Sequence, residues 1–151
     1  MTNNDLLVLK NKEVLVTGGC GFIGSEIVKQ LSMIGANVTI IDNLSSGKEK
    51  YVEGLSNVKL ITGDLLDDHT IESVVKDKEY VINNAALPFI PDSYYIPKKF
   101  FDVNVNATIS MALSAIKEKK VKRFVHISSS EIYGTARYTP MDENHQTTPQ
   151  S

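Results

Sequence analysis

Cysteine and histidine are scarce in this sequence, and their scarcity excludes two classes of site. Cys20 is the only cysteine among the 151 residues, so no internal disulfide can form. The three histidines, His69, His126 and His145, show no metal-ligand spacing, and we therefore expect no metal site. A chain with one cysteine fits a reducing compartment, and we expect the protein to be cytoplasmic.

The sequence also lacks a strong charge of either sign and a long hydrophobic run. Its formal net charge is -2, whereas a surface for nucleic acid or anionic lipid requires a basic patch. No apolar run reaches the roughly 20 residues of a membrane-spanning helix, and residues 1–12 contain no signal-peptide core. We therefore expect neither a nucleic-acid nor a membrane partner. The hydrophobic fraction of 42% supplies a core for one domain over residues 1–151.

Glycine, by contrast, is concentrated in the segment VLVTGGCGFIG, where an apolar strand pattern passes directly into a helical one. Gly18 permits a tight turn, Gly21 lets backbone amides approach phosphates without an intervening β-carbon, and Gly24 lets the helix lie close to the strand. The start of the helix then presents unpaired N–H groups and a positive dipole end to an anion. A Walker-type loop is excluded, because no Lys followed by Ser or Thr closes the pattern. The segment predicts a dinucleotide pyrophosphate site.

Apolar strand-like runs alternate with helical runs along the whole chain. The predicted strands cover residues 13–17, 37–42, 57–62, 80–83 and 122–128. The predicted helices cover residues 22–35, 70–76 and 97–119. Short continuous runs of Val and Ile separated by helices are typical of a parallel sheet that is covered on both faces. The sequence therefore predicts an α/β fold, namely a Rossmann-type doubly wound parallel sheet with helices on both faces.

The last predicted helix carries an apolar stripe that we expect to face the sheet. Pro97 stands at its first turn, where proline is favourable. The stripe recurs at helical spacing and consists of Phe101, Val105, Thr108, Ala112 and Ile116. Asn104 falls on the same face, and an asparagine there must find hydrogen-bond partners.

Every predicted strand ends in small or polar residues. In an open parallel sheet, ligands bind at the carboxyl ends of the strands, where the strand order reverses. The first strand ends in the glycine turn, and the others end in Asp42, Gly63-Asp64, Asn84-Ala85-Ala86 and Ser128-Ser129-Ser130. One polar strand end is ordinary for a loop, but five of them together favour a binding site.

Two carboxylates at these strand ends suggest how a dinucleotide is recognised. Asp42 follows the second strand, where it can accept hydrogen bonds from the adenosine ribose hydroxyls. The same charge repels a 2'-phosphate, so we expect NAD to bind better than NADP. Asp64 follows the third strand and is a candidate for the adenine edge, while a helix N-cap is the alternative role.

With these motifs in order, the chain resembles the extended short-chain dehydrogenase/reductase family, in particular its NAD-dependent nucleotide-sugar epimerases and dehydratases. The resemblance covers essentially the whole chain. It rests on the strings TGGCGFIG, DNLSSG, GDL, NAA, NVNAT and SSSEIYG. DNLSSG is most similar to UDP-sugar 4-epimerases, whereas HISSSEIYGT with the following ARYTPMDENH is closer to 4,6-dehydratases and nucleotide-sugar decarboxylases. All three reactions stay open at this point.

The resemblance implies a first step in which NAD takes hydride from C4 of the sugar while a tyrosine takes the 4-hydroxyl proton. Ser129 matches the catalytic Ser or Thr, and Glu131 matches the glutamate that acts at C5 in dehydratases. Ser130 occupies the place of an aspartic acid in dTDP-glucose dehydratases, which argues against that subtype. The implied cofactor-binding residues are Gly18, Gly21, Phe22, Ile23, Gly24, Asp42, Asn43, Asp64, Leu65, Ala85, Ala86 and Asn104. The implied partners are a nucleotide sugar, most simply UDP-linked, and a second copy in a homodimer.

The family's Tyr-x-x-x-Lys pair has two matches in spacing here, Tyr94 with Lys98 and Tyr95 with Lys99. Both span Pro97, so neither pair shares a helical face, and we reject both. In the family, the tyrosine follows a segment similar to TTPQS, with which this chain ends. We therefore expect the N-terminal, NAD-binding portion of a larger enzyme, truncated after the fifth strand, inactive alone and with apolar surface exposed at that strand. The alternative is a non-catalytic NAD-binding module.

Overall fold

A computed structural model describes residues 7–150 of the chain. It contains five strands, β1 to β5, which span Glu13–Thr17, Asn37–Asp42, Val58–Thr62, Tyr80–Asn83 and Arg123–His126. They form one sheet in the order β3-β2-β1-β4-β5, and every neighbouring pair is parallel. The order reverses between β1 and β4, as it does in a Rossmann sheet. The predicted fold class is thus confirmed.

The helices connect these strands and vary in length. The α-helices, α1 to α5, span Phe22–Met33, Asp68–Val75, Ile90–Ser93, Pro97–Phe101 and Ala107–Lys117. Short 3-10 helices span Leu7–Leu9, Glu49–Tyr51 and Ser130–Tyr133. A π-helical segment, Asp102–Asn106, joins α4 to α5. The helix predicted over residues 97–119 therefore exists as one continuous helix over residues 97–117, with a π-helical turn in its middle. None of the helices described between residues 7 and 150 is long and apolar enough to cross a membrane.

The hydrophobic core consists of two clusters, one on each face of the sheet. On one face, α1 packs Val28 and Leu31 against the side chains of β1 and β2. On the other face, α2 and α5 cover Leu15, Ile41 and Val81. Because both faces of the central strands are covered, their sequences are continuous apolar runs and do not alternate with polar residues.

The apolar stripe predicted for the last helix is wrong by about one position. The buried residues of α5 are Ala107, Met111, Ser114 and Ala115. Of the residues predicted to face the sheet, Phe101 is 58% exposed and Ile116 is 79% exposed. Small side chains allow α5 to approach α2 and the sheet closely, and the π-helical turn before α5 breaks the regular spacing. Ile109, Leu113 and Ile116 therefore point outward, while Met111 is fully buried.

The fifth strand carries exposed apolar side chains, as expected. Val125 is 41% exposed and Ile127, directly after the strand, is 36% exposed. Beyond β5 the chain continues without regular strands to residue 150. This last segment is organised around His145, which is only 3% exposed. Its Nε2 accepts the backbone N–H of Arg137 at 3.0 Å, and its Nδ1 lies 3.0 Å from the carbonyl of Gln146.

Candidate nucleotide-binding site

The glycine turn between β1 and α1 forms the centre of the candidate site. Gly18 adopts a left-handed conformation with φ of +64°, which an L-residue rarely adopts. A β-carbon on Gly18 would lie 2.9 Å from the Cα of Ala85, so the turn touches the loop after β4 directly. The backbone N–H of Gly18 donates to the carbonyl of Ile41 at 2.9 Å. The turn is thus held between the ends of β2 and β4.

Gly24 and Gly21 have different surroundings within this turn. A β-carbon on Gly24 would collide with the carbonyl oxygen of Gly18 and lie 2.9 Å from Asn84 Nδ2. Gly24 therefore lets α1 pack onto the strand end. A β-carbon on Gly21 would meet only the Gly18 oxygen, at 3.2 Å. Its other side is open, so contacts within the chain restrict the residue at this position only weakly.

The first turn of α1 presents free backbone donors at this open side. Gly21 is the N-cap of α1 and has no side chain to bond the first N–H groups. Phe22 and Ile23 follow it and are exposed, at 93% and 55%. Unpaired N–H groups and the positive end of the helix dipole suit a pyrophosphate.

Asp42 holds the neighbouring part of the site together. It is 8% exposed, and its carboxylate accepts the backbone N–H of Cys20 at 2.9 Å and that of Leu44 at 2.8 Å. Each oxygen thus receives one hydrogen bond and keeps a further lone pair. A β-carbon on Gly47 would lie 3.0 Å from Asp42 Oδ1. Asp42 therefore fixes the glycine turn to the end of β2 and can still accept from a ligand hydroxyl.

Burial and charge together affect the thiol beside Asp42. Cys20 is fully buried. Burial, followed by the negative charges of Asp42 and Glu49, raises the pKa of the Cys20 thiol to about 11. The thiol is therefore neutral at physiological pH and fills space inside the turn.

Asn43 and Asp64 lie together at the ends of β2 and β3. Asn43 Nδ2 donates to Asp64 Oδ2 at 3.4 Å, and Asp64 Oδ1 accepts the N–H of Leu66 at 3.0 Å. The alternative role of Asp64 as a helix N-cap is wrong, because Asp67 caps α2 by accepting the N–H of His69. Both Asn43 and Asp64 are exposed. Leu65 packs partly into the core between them and α2.

Thr17 and Asn83 are two buried residues that the sequence patterns did not single out. Thr17 ends β1 and is fully buried. Its Oγ1 accepts the backbone N–H of Asn84 at 3.0 Å and that of Ala85 at 2.9 Å, and donates to Asn83 Oδ1 at 2.9 Å. The Thr17 side chain thus fixes the loop after β4 beside Gly18. A polar residue at the last position of an apolar strand was the available signal.

Ala86 and Asn104 belong to the other side of this loop. Ala86 is exposed directly after Ala85. Asn104 lies in the π-helical segment, where its Oδ1 accepts the N–H of Leu87 at 2.8 Å and its Nδ2 donates to the Leu87 carbonyl at 3.1 Å. The partners expected for this asparagine are therefore backbone groups. Asn104 holds the loop after β4 in place from the side opposite to Thr17.

The three catalytic candidates lie at the end of β5, on the same edge of the sheet. Ser129, Ser130 and Glu131 are all exposed. Ser129 caps the 3-10 helix that follows, because its Oγ accepts the N–H of Glu131 at 3.2 Å. An exposed serine hydroxyl that already accepts one N–H keeps its hydrogen free to donate to a ligand oxygen.

Tyr94 and Tyr95 do not form a pair with the lysines four residues further on. They lie between α3 and α4 and are 78% and 85% exposed. Ile96, with φ of -130° and ψ of 52°, interrupts the helical backbone between each tyrosine and its lysine. Lys98 instead forms an ion pair with Asp102. The rejection of both pairs from the sequence agrees with this geometry. Within residues 7–150, no group of three or more His, Cys, Asp or Glu side chains could hold a metal ion.

The chain is similar to a known family and to known proteins. The model of the GDP-mannose 4,6-dehydratase family matches residues 15–151. The UDP-glucose 4-epimerase of Drosophila melanogaster is 36% identical over 148 residues, which are 89% of this chain and 42% of that protein. The putative UDP-glucose 4-epimerase of Methanocaldococcus jannaschii is 36% identical over 140 residues, which are 91% of this chain and 45% of that protein.

Solved structures with the same fold include several epimerases. The UDP-N-acetylglucosamine 4-epimerase of Methanobrevibacter ruminantium M1, in complex with UDP-N-acetylmuramic acid, superposes with a TM-score of 0.85 at 38% identity, covering 94% of this chain and 46% of that one. The UDP-glucose 4-epimerase of Brucella ovis in complex with NAD gives a TM-score of 0.83 at 29% identity, covering 92% and 42%. The chain therefore spans less than half the length of these proteins.

Proposed function

Since this chain belongs to the GDP-mannose 4,6-dehydratase family, we propose that it is the NAD-binding portion of a nucleotide-sugar epimerase or dehydratase. The observation that carries the proposal is the open side of Gly21, where the first turn of α1 presents free N–H groups beside Asp42. A phosphate needs those donors, and a ribose needs that carboxylate. One dinucleotide satisfies both.

The described residues suit the pyrophosphate and the adenosine part of NAD. The glycine turn and the start of α1 would hold the pyrophosphate, and Asp42 would accept hydrogen bonds from the adenosine ribose. Asn43, Asp64 and Leu65 would border the adenine, because they lie together at the neighbouring strand ends. When bound, NAD would accept and return a hydride at the sugar.

The catalytic candidates suit a sugar hydroxyl near that cofactor. Ser129 keeps its hydroxyl hydrogen free, since its oxygen accepts the N–H of Glu131. It would therefore donate a hydrogen bond to the reacting sugar oxygen. General acid-base catalysis additionally needs a group that removes the hydroxyl proton within hydrogen-bond reach. Tyr94 and Tyr95 do not provide it, because they lie exposed beyond the loop after β4.

We propose a UDP-sugar 4-epimerase as the first assignment of the complete reaction. The DNLSSG string and the names of the relatives support it. A 4,6-dehydratase is the second assignment, because the exposed carboxylate of Glu131 stands beside Ser129. The two are distinguished with a protein that includes the part matching the second half of the relatives. The Glu131→Gln variant should keep epimerase activity on UDP-glucose but would lose the formation of a 4-keto-6-deoxy sugar.

The binding step is tested on this chain with Gly21→Ala. Gly21 has φ of -78°, which alanine adopts without strain, and the added methyl meets only the Gly18 oxygen. The variant should therefore fold normally, while its methyl separates the pyrophosphate from the backbone N–H groups. We expect NADH affinity, measured by fluorescence titration, to fall roughly tenfold or more with little change in the unfolding midpoint. Unchanged NADH binding would contradict the proposed pyrophosphate site.

Cofactor choice is tested by titrating the unmodified chain with NADH and NADPH. The carboxylate of Asp42 repels a 2'-phosphate, so NADH should bind more tightly. Equal affinities would argue against the ribose position proposed for Asp42.

We also propose that the parent enzyme is a homodimer. The outward face of α5 carries three large apolar side chains, Ile109, Leu113 and Ile116, each more than half exposed. An apolar face of this kind favours association with another surface. Light scattering on the longer protein should give twice the monomer mass, and a monomer at micromolar concentration would contradict the proposal.

A further inference from the structure

A network of hydrogen-bonded side chains runs beneath the candidate site from β1 to β5. It consists of Thr17, Asn83 and His126, with a side branch to Thr108 on α5. Asn83 is 2% exposed, and its Nδ2 lies 3.2 Å from Thr108 Oγ1 and 3.1 Å from His126 Nδ1. Because Thr17 and Asn83 are shielded from water, each of their polar atoms must be satisfied by a protein partner.

Thr17 fixes the direction of the first hydrogen bond in this network. Its hydroxyl oxygen has two lone pairs, and both accept backbone N–H groups, from Asn84 and Ala85. The single hydroxyl hydrogen is left to donate, and Asn83 Oδ1 lies 2.9 Å away. The amide oxygen of Asn83 therefore faces Thr17.

The orientation of Asn83 in turn decides the state of His126. With its oxygen on Thr17, the amide nitrogen faces Thr108 and His126, and it has one hydrogen for each. His126 Nδ1 must then accept a hydrogen bond, so it carries no proton. The imidazole is neutral, with its hydrogen on Nε2.

We infer that His126 is a positioning residue, whose neutral Nε2–H form holds Asn83 in the one orientation that lets Thr17 fix the Asn84–Ala85 backbone against Gly18. The side chain of His126 is itself exposed, and its Nδ1 faces Asn83. It acts through Asn83 and Thr17 on the loop that borders the glycine turn. The inference rests on the proposed function only in taking that loop as part of the NAD site.

The tautomer is tested by long-range proton-nitrogen NMR on the unmodified chain. The signals of His126 are identified by their loss in the His126→Asn variant. We expect an unprotonated Nδ1 and a protonated Nε2 at pH 7. A neutral ring with its hydrogen on Nδ1 would overturn the inference.

The positioning role is tested with two matched variants. The Oδ1 of asparagine lies where Nδ1 of histidine does, whereas the Oε1 of glutamine lies nearer the position of Nε2. His126→Asn should therefore keep an acceptor for Asn83, and His126→Gln should lose it. We expect the backbone amide signals of Asn84 and Ala85 to move in His126→Gln and to stay in place in His126→Asn. Equal shifts in both variants would refute the positioning role.

Cofactor affinity supplies a readout that separates the two proposals. NADH should bind His126→Asn as it binds the unmodified chain. It should bind His126→Gln roughly tenfold more weakly, because the loop beside Gly18 is displaced, and a tenfold change corresponds to about 1.4 kcal/mol. If the unmodified chain binds no NADH, the proposed function fails, while the NMR signals still decide the role of His126.

A third variant guards against poor folding of His126→Gln. Asn83→Asp reverses the direction of the hydrogen bond to His126, because a carboxylate accepts from Thr17 and from His126 alike. The Nδ1 of His126 should then carry a hydrogen that it donates to the carboxylate. An Nδ1 that stays without a proton in Asn83→Asp would contradict the hydrogen-bond directions derived from Thr17.

Discussion

The cofactor edge, at the ends of β1, β2 and β4, differs sharply from the catalytic edge at the end of β5. At the cofactor edge, Asp42 and Thr17 are buried, and each binds two backbone N–H groups. At the catalytic edge, Ser129 and Glu131 are exposed, and Ser129 bonds only to the backbone two residues away. Asp42 and Thr17 are thus part of the folded core, whereas the catalytic candidates lie on the surface.

Along one sheet, the residues that stabilise the fold therefore lie apart from the residues proposed for catalysis. Changes to the buried acceptors Asp42 and Thr17 should weaken folding and binding together, because the same atoms serve both. Changes at the catalytic edge should leave folding intact.

Gly24→Ala should have the largest effect on stability. Its methyl would collide with the Gly18 carbonyl oxygen, and neither backbone segment can move without displacing α1 or β1. Overpacking at such a position costs about 3 kcal/mol or more. Chemical denaturation should show this loss. The nearby Gly21→Ala is the matched control, and equal destabilisation of the two variants would contradict the distinct roles of these glycines.

Asp42→Asn should reduce both stability and NADH affinity. An amide has one acceptor oxygen, so its NH2 group would face the N–H of either Cys20 or Leu44. An unsatisfied buried donor costs about 1–3 kcal/mol. Denaturation and NADH titration measure the two effects. A variant as stable as the original chain would show that the carboxylate is not needed for the turn.

Alkaline pH should weaken folding through Cys20. Its pKa is raised from 9.0 to about 11 in the folded chain, because burial disfavours the thiolate. Between these values the unfolded thiol ionises and the folded one does not, so stability is full below pH 9 and falls as the pH rises toward 11. The loss amounts to roughly 2 kcal/mol. Cys20→Ala, which cannot ionise, should show a smaller decrease over the same range, and identical curves would rule out this contribution.

Ser129→Ala and Glu131→Gln should have the smallest effect on folding. Both side chains are exposed, so Glu131→Gln should alter stability by no more than about 0.5 kcal/mol. Ser129→Ala also removes the cap of the short 3-10 helix and should cost at most about 1 kcal/mol. NADH binding by the chain should stay nearly unchanged as well. A loss of more than 1 kcal/mol in denaturation, on the order of a typical core mutation, would place these residues in the folding core and remove the contrast between the edges.

Much of the sheet could be predicted because its strands are buried on both faces. Glu13–Thr17, Asn37–Asp42 and Tyr80–Asn83 have the predicted bounds, since continuous Val and Ile runs bounded by polar residues leave little choice. The helix stripe was harder. Its period was correct, but the buried face carries the small residues Ala107 and Ala115 beside Met111, and a search for large apolar side chains passes over the small ones.

The candidate site was predictable where the backbone conformation favours a single residue type, as at Gly18 with its positive φ. It was not predictable where a contact depends on three strands at once. Nothing in the spacing of Thr17, Asn83 and His126 indicates that they meet, because their proximity follows from the strand order. Asp64 illustrates a third case, in which Asp67 competes for the same cap and only the backbone decides between them.

Asp42 binds two backbone N–H groups and is also the proposed partner of the ribose, and this double role limits how the protein can evolve or be redesigned. If the proposed ribose contact is correct, accepting a phosphorylated cofactor requires removal of this carboxylate. That removal also releases the amides of Cys20 and Leu44 from their acceptor. A change of preference from NAD to NADP would therefore need a second substitution that supplies a new acceptor for these amides. That substitution would have to come first, because a variant without either the carboxylate or the new acceptor would fold poorly.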